Sequence, residues 1–321
     1  MQPGTQQHKV LLMTTLRIPS PIADRMNVSA QPKISPFRYP GGKTRLVELV
    51  HTWLMYNGET ETFLEPFAGG ASVGLYVATK GLAKTVRLVE IDPDISAFWI
   101  TVLSDDWRWL CRRIACFEPT RRSIKEILSK EFTSTRDIAF KTLVRNRFGR
   151  SGLLWNGAGL VRVGERGAGL WSRWYPSTLI ARIKHIHSLR DRLIFVHGCG
   201  LEEIRKFSFK KKTAMFVDPP YTVGEKSAGT RLYRYNELDH KLLMDLLANA
   251  RSKFLLTHED NRSIRKMADE SGMQVIKLPL ITGQNKKSAE LLIGYDLDTL
   301  VTRLREDRKY LIEPLSRFRL V

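Results

Sequence analysis

The spacing of hydrophobic residues predicts alternating helices and strands in the first hundred residues. Over residues 44–56, apolar side chains recur at helical spacing. The segment 62–68, TFLEPFA, predicts a strand that enters a glycine turn, and ASVGLYVAT predicts the helix after it. A second strand is predicted at 85–92, followed by a helix through ISAFWITVL. This order is typical of a parallel sheet covered by helices.

Strand-like segments return in the C-terminal half of the chain. A helix is predicted at 239–250, and only a short turn separates the last two strands, which favours an antiparallel pair. The predicted fold class is therefore α/β, with a doubly wound, mainly parallel sheet that has an antiparallel C-terminal strand pair. The predicted strands of this half are 192–198, 213–220, 253–259, 273–280 and 289–296.

A basic, mostly helical segment interrupts the alternation. Between Arg108 and Arg192 there are 19 Lys and Arg against 6 Asp and Glu, within a chain of net charge +19. Seven glycines between 149 and 169 predict a loop. Because so much of the excess charge lies in one segment, we expect an inserted nucleic-acid-binding surface and not general solubility.

The 321 residues, 43% of them hydrophobic, divide into four predicted parts. Residues 1–33 lack periodicity and predict a flexible extension, with Met26 as an alternative start. Residues 34–107 and 191–300 predict a catalytic domain, 108–190 an inserted target-recognition domain, and 301–321 a C-terminal tail.

Three cysteines without a close pair, and no His/Cys cluster with zinc spacing, predict a reduced cytoplasmic protein without a metal. No apolar run approaches the length that spans a membrane, so no membrane partner is expected.

The segment RYPGGKT, residues 38–44, resembles the end of a phosphate-binding loop. The first glycine of such a loop would fall at position 37, which is Phe. The preceding residues are polar and rich in proline, whereas a buried strand should precede the loop. An NTPase is therefore disfavoured.

Two other segments carry candidate chemistry. In FLEPFAGGASVG a glycine turn opens a helix, and Glu90 follows Gly70 by 20 residues, the spacing of an acidic residue that binds a ribose hydroxyl. In VDPPY, Asp218 follows a buried strand, where ligands of open α/β folds bind. The Asp218 carboxylate and the Pro219 carbonyl are both acceptors for an amine, and Tyr221 offers an aromatic face for a planar base.

These segments resemble the Dam-type, or D12 class, DNA adenine-N6 methyltransferases, which use S-adenosylmethionine and no metal. RYPGGK, FLEPFAGGASVGL, VEIDPDISAFW, DPPY and GQNKKSAELLIGYD are similar to five motifs of this family and occur in the family's order. The resemblance spans residues 37–296 and implies a methyltransferase-like sheet.

The resemblance implies roles for individual residues. Tyr39 would contact the methionine or sulfonium part of the cofactor, Lys43 its carboxylate and Glu90 its ribose. Asp218, Pro219 and Tyr221 would be catalytic, with the two acceptors orienting the adenine amine and Tyr221 stacking on a flipped-out base. The full set of implied cofactor contacts is Tyr39, Lys43, Glu65, Phe67, Gly69, Glu90 and Asp218.

The chain departs from the family pattern after the third strand. Cys199 and Gly200 occupy the position where an acidic residue is expected near the cofactor adenine. Recognition of the cofactor adenine by Glu202, by Glu203 or by backbone groups is left open. His258, in THED, is interpreted as a local hydrogen-bonding residue.

The basic segment is expected to read double-stranded DNA through phosphates and base edges, and no obligate protein partner is implied. The candidate DNA-binding residues are Arg145, Asn146, Arg147, Arg150, Arg162 and Arg166. The glycine-rich part is a candidate hairpin along a groove. Two alternatives stay open, namely a methyltransferase for another amine (cytosine N4 or RNA adenine) and an inactive DNA-binding relative.

Overall fold

A computed structural model of the chain describes most of the residues after position 33. The described ranges are 16–17, 33–38, 42–150, 159–161, 169–221, 238–281 and 287–306. Within them, no helix is long and apolar enough to cross a membrane.

Strands and helices alternate as the hydrophobic pattern predicts. The strands are β1 (Leu16–Arg17), β2 (Thr62–Glu65), β3 (Thr85–Glu90), β4 (Leu193–His197), β5 (Thr213–Val217), β6 (Lys253–Glu259), β7 (Gln274–Ile281) and β8 (Lys287–Gly294). The α-helices are α1 (Val47–Tyr56), α2 (Ser72–Lys80), α3 (Pro93–Leu103), α4 (Trp107–Ala115), α5 (Arg121–Ser129), α6 (Thr135–Phe148), α7 (Pro176–Ser188), α8 (Gly200–Phe207), α9 (His240–Ala248), α10 (Arg262–Glu270) and α11 (Leu297–Glu306). Short 3₁₀ helices cover Lys43–Leu46, Gly169–Arg173 and Arg190–Arg192.

The strands form one mixed sheet in the order β1-β7-β8-β6-β5-β2-β3-β4. β2 to β6 pair in parallel, whereas β8 pairs antiparallel with both β6 and β7. The predicted fold class, including the antiparallel C-terminal pair, is confirmed. Because β8 lies between β6 and β7, only β6 separates the last strand from β5.

Side chains alternate between two hydrophobic cores, one on each face of the sheet. Phe63 of β2 and Phe216 of β5 belong to the first core, while Leu64 and Met215 belong to the second. The first core also includes apolar residues of α1 to α7 and α11, and the second is covered by α8, α9 and α10. The basic segment therefore shares the core of the sheet.

Two ends of the chain depart from the predicted boundaries. Leu16 and Arg17, within the range predicted as a flexible extension, pair in parallel with β7. At the other end α11 continues to Glu306, six residues into the predicted tail, because Leu300, Val301 and Leu304 pack into the first core.

Candidate active site

Three acidic residues meet at one edge of the sheet. Glu65 ends β2, Glu90 ends β3 and Asp218 follows β5, and these three strands are parallel neighbours. The carboxyl ends of parallel strands share an edge, which is where open α/β sheets bind ligands. The sequence-predicted site is therefore brought together by the order of the strands.

Glu65 binds the beginning of α2. Its Oε2 atom accepts a hydrogen bond from Gly74 N at 2.7 Å, and the side chain is buried. A Cβ atom on Gly74 would lie 2.6 Å from the same oxygen, so a larger residue would displace the carboxylate. Burial raises the pKa of Glu65 to about 8, although the backbone hydrogen bonds lower it. Its predicted contact with the cofactor stays a prediction.

Replacing Glu65 by Gln should change how stability depends on pH. The pKa of Glu65 is about 8 in the folded protein against 4.5 for an ordinary Glu, so the folded state keeps a proton that the unfolded state loses. Between these values the stability of the wild type should fall as pH rises, by up to about 1.4 kcal/mol per pH unit from this group. Glu65→Gln should remove that slope, and urea unfolding at pH 5, 6.5, 8 and 9 measures it. Parallel stability curves for the two proteins would contradict the prediction.

Glu90 holds the loop between β2 and α2 and the start of α3. Its Oε2 atom accepts from Gly69 N at 2.8 Å, and its Oε1 atom accepts from Ile91 N and Asp92 N, both at 2.9 Å. Burial, the largest effect, raises the pKa of Glu90 to about 7, and these backbone hydrogen bonds oppose it. A carboxylate has about four lone-pair positions, so one acceptor position is left over. The predicted contact of Glu90 with a ribose hydroxyl stays a prediction.

The loop after β2 is tightly placed against its neighbours. Gly69 and Ala71 both have positive φ angles, of 46° and 50°, and the Gly69 carbonyl accepts a hydrogen bond from the Trp99 indole at 3.0 Å. A Cβ atom on Gly200 would lie 2.3 Å from the Pro66 carbonyl oxygen and 2.8 Å from the Phe67 ring. The start of α8 therefore lies so close to this loop that only glycine fits at position 200.

The candidates for contact with the cofactor adenine divide into buried and exposed residues. Glu203 is buried and forms ion pairs with Arg87 and with Lys206, so its carboxylate is held within the protein. Glu202 is exposed in the first turn of α8. Of the two glutamates left open by the sequence, only Glu202 is accessible.

Three side chains contact the Asp218 carboxylate. Oδ1 accepts a hydrogen bond from the Thr257 hydroxyl at 2.7 Å and lies 2.8 Å from the Tyr221 hydroxyl oxygen, and Oδ2 lies 2.8 Å from Lys43 Nζ. Thr257 is fully buried on β6, the strand next to β5. The carboxylate is therefore oriented by its surroundings and is about a quarter exposed, at 23%.

Lys43 lies between two carboxylates of the protein. Its ammonium is 2.8 Å from Asp218 and 3.2 Å from Glu290, and its predicted contact with the carboxylate of the cofactor stays a prediction. Burial lowers its pKa, but attraction by the two carboxylates outweighs burial and raises the pKa above the ordinary value. Lys43 is thus a charged partner of Asp218. Tyr39, the other residue assigned to the methionine end, lies outside the described residues.

Tyr221 lies within the site with its hydroxyl toward the carboxylates. Its ring packs at 4.8 Å from the His258 ring, and Lys43 Nζ lies 5.3 Å from its centroid. His258 is buried, which lowers its pKa to about 4, and Nδ1 lies 3.1 Å from the Glu259 carbonyl oxygen. This neutral imidazole supports the local hydrogen-bonding role. Pro219 is buried beside Asp218, and its role as an acceptor stays a prediction, as does stacking by Tyr221.

Two of the candidate DNA-binding residues are buried, which corrects the sequence interpretation. Asn146 is fully buried, and its amide binds the backbone of Arg38 through both Oδ1 (2.7 Å to N) and Nδ2 (3.1 Å to O). Arg147 is 5% exposed, and it donates to the carbonyls of Arg173 and Pro36. Their polar atoms are thus engaged in anchoring the chain that leads to Lys43.

The other four candidates for DNA contact are partly exposed, exposed, or outside the described residues. Arg145 lies 3.6 Å from Asp94 in an ion pair with both side chains partly exposed. Arg150 is exposed, and its backbone N donates to Gly159 O at 2.9 Å, beside the antiparallel bridge from Gly149 to Leu160. Arg162 and Arg166 lie outside the described residues, as does most of the glycine-rich segment.

Sequence reasoning missed three residues of the site, namely Arg45, Thr257 and Glu290. Arg45 and Glu290 form an ion pair, and Thr257 binds Asp218. Glu290 had a detectable signal, since it is an isolated charge in the apolar run AELLIGY. Thr257 and Arg45 had none, because their role depends on how separate strands meet. Among the described residues, no group of three or more His, Cys, Asp and Glu forms a metal site.

A match to a protein family covers the part of the site that contains Lys43, Glu65 and Glu90. More specifically, residues 39–148, about a third of the chain, match the model of the D12 class N6 adenine-specific DNA methyltransferases, which confirms the resemblance over that range. No curated protein matches the chain.

Solved structures of methyltransferases are similar to the chain at low identity. One is described as a putative RNA methyltransferase from Pyrococcus horikoshii, with 10% identity and a TM-score of 0.35 over 84% of this chain and 92% of the other. Another is an rRNA methyltransferase from Streptomyces viridochromogenes, with 13% identity and a TM-score of 0.36 over 87% and 94%. At this level of similarity the two structures carry no inference about the substrate.

Proposed function

We propose that the chain is a site-specific DNA adenine-N6 methyltransferase that uses S-adenosylmethionine. The observation that carries the proposal is Asp218 at the carboxyl end of β5, oriented by Lys43 and Thr257 and followed by Pro219, Pro220 and Tyr221. The family match over residues 39–148 supports adenine and DNA as the target.

The proposed reaction requires Asp218 to orient the adenine amine, and the position of its carboxylate suits this role. S-adenosylmethionine, when bound, supplies an electrophilic methyl group on a sulfonium. An adenine amine is a poor nucleophile because its lone pair is delocalised into the ring, so the protein must hold it where that lone pair is available. The Asp218 carboxylate and the Pro219 carbonyl accept the two amine hydrogens and favour a pyramidal nitrogen. The bound cofactor would supply the methyl group and leave as the neutral thioether, and the amine proton displaced by the new N–C bond would leave through the Asp218 carboxylate that accepts its hydrogen bond.

The cofactor is proposed to lie along the edge between Glu90 and Asp218. Glu90 retains an acceptor position for a ribose hydroxyl, and Ile91 next to it is 43% exposed, an apolar surface for a planar ring. Gly200 lets α8 approach the loop of Phe67 that borders this edge. The residues present therefore fit the cofactor that the family uses.

Double-stranded DNA is proposed to bind the exposed basic side of α4 to α7. Arg112, Arg122 and Lys125 are exposed on α4 and α5, and Arg150 is exposed after α6. Exposed cations neutralise phosphates and release counterions, which makes such binding dependent on salt. Arg145, Arg162 and Arg166 stay candidates for DNA contact.

Product analysis tests the proposal directly. The purified protein, labelled S-adenosylmethionine and plasmid DNA should yield N6-methyladenine in nuclease digests resolved by mass spectrometry. Single-stranded RNA and unmethylated DNA of matched composition serve as parallel substrates. N4-methylcytosine, or methylation of RNA alone, would replace the proposed target with another amine. Binding of DNA without transfer to any substrate would identify an inactive DNA-binding relative.

A further inference from the structure

Glu290 is a buried acidic residue in the middle of the sheet. It lies on β8, opposite Glu259 of β6 and Leu278 of β7, and is 3% exposed. Removing a carboxylate from water costs several kcal/mol unless charged and hydrogen-bonding partners compensate. A carboxylate retained at this position therefore requires specific partners.

The partners of Glu290 come from two other segments of the site. Oε2 accepts a hydrogen bond from the Arg45 guanidinium, while Oε1 accepts from the Tyr221 hydroxyl at 2.5 Å and lies 3.2 Å from Lys43 Nζ. Burial raises the pKa of Glu290, but attraction by Lys43 and Arg45 and the hydrogen bonds hold it below its ordinary value. Glu290 is therefore ionised at neutral pH.

Two of these donors are shared between Glu290 and Asp218. The Lys43 ammonium and the Tyr221 hydroxyl each contact both carboxylates. The Tyr221 hydroxyl has one hydrogen and can donate it to only one carboxylate at a time, whereas Thr257 and Lys43 both donate to Asp218. A carboxylate has about four acceptor positions, so an arriving amine competes with donors that the protein itself supplies.

We propose that Glu290 is a positioning residue, which retains Lys43 and the Tyr221 hydroxyl when the target amine takes their place on Asp218. This inference rests on the proposed function and extends it to a residue outside the DPPY motif. Without Glu290, Asp218 is the carboxylate that neutralises the buried Lys43 ammonium, so these two side chains should stay paired. A buried cation that loses its counter-charge costs several kcal/mol, so Asp218 would not be released to the amine.

The test is Glu290→Gln, which removes the charge and keeps the shape. We expect kcat for methyl transfer to fall on the order of 100-fold, while the Kd values for DNA and for S-adenosylhomocysteine stay within about twofold. Glu259→Gln is the matched control, because Glu259 lies opposite Glu290 in the same sheet but is exposed. A Glu290→Gln protein with near-normal kcat, or an equal loss in the control, would overturn the proposal.

Glu290→Asp keeps the negative charge but shortens the side chain, and it takes the place of the Gln variant in the test if that variant does not fold. It keeps the carboxylate, and its kcat should lie between the wild type and the Gln variant. Equal losses in the Asp and Gln variants would mean that the charge is not what matters, which would overturn the proposal.

A spectroscopic titration tests the shared contact without methyl transfer. Burial, the charges of Asp218 and Glu290 and the hydrogen bond to Glu290 raise the pKa of Tyr221, whereas the hydrogen bond with Thr257 lowers it. Lys43 and the neutral His258 also lie against its ring. The ultraviolet phenolate signal of Tyr221, isolated by subtraction of a Tyr221→Phe variant, should therefore appear at lower pH in Glu290→Gln. An unchanged titration would overturn the shared contact. The phenolate signal does not depend on methylation. The titration can therefore still show the shared contact if the proposed function is wrong, so the two failures can be told apart.

Discussion

Asp218→Ala should lower the rate of methyl transfer by about 10³-fold or more, while the protein stays folded. The carboxylate is the acceptor that would orient the amine, and such preorganised groups account for the largest effects in transfer reactions. The fold should persist because Lys43 keeps Glu290 as its partner, 3.2 Å away. Single-turnover transfer to methylation-free DNA, with circular dichroism for the fold, measures both effects.

Asp218→Asn is the sharper variant, because it changes one acceptor into a donor. Its amide hydrogens would face Lys43 and the incoming amine, so activity should be as low as in the Ala variant. Asp260→Asn is the matched control, since Asp260 directly follows the neighbouring strand β6 but pairs with Arg265 and Lys277. Turnover near the wild-type rate in either Asp218 variant would remove this residue from the mechanism.

Asn146→Ala should lower both stability and methyl transfer, because Asn146 is buried and holds the chain before Lys43. Its amide binds the N–H and C=O of Arg38, and its removal leaves two partly buried backbone groups without these partners. We expect a loss of about 2–4 kcal/mol in the free energy of unfolding. Because Arg38 precedes the segment that carries Lys43, displacement of this chain should also slow transfer. Urea unfolding and single-turnover assays measure the two effects.

Arg150→Ala is the contrasting variant from the same part of the chain. Arg150 is exposed, so the free energy of unfolding should stay within about 0.5 kcal/mol of the wild type. Affinity for DNA should fall for all sequences alike, and the slope of log affinity against log salt should decrease by about one. If Asn146→Ala instead reproduced this salt effect at unchanged stability, Asn146 would be a DNA contact after all.

The amino-acid sequence by itself determined the alternation of elements and the segments that form the site. Hydrophobic periodicity is a local property, so the strands around Glu65, Glu90 and Asp218 were predictable one by one. Their meeting at one edge followed from the rule that parallel strands share the direction of their carboxyl ends. The antiparallel C-terminal pair followed from the short turn between its strands.

Only the tertiary structure decided which charged residues face the solvent and which face one another. Asn146, Arg147 and Arg150 stand within five residues in the sequence, yet the first two are buried and the third is exposed, because α6 holds Asn146 and Arg147 against the core and Arg150 follows the end of that helix. Glu290 meets Lys43 across more than two hundred residues, since β8 enters the sheet beside β6. Such contacts depend on the order of strands and not on local spacing, which is why the partners of Asp218 could not be read from the motifs alone.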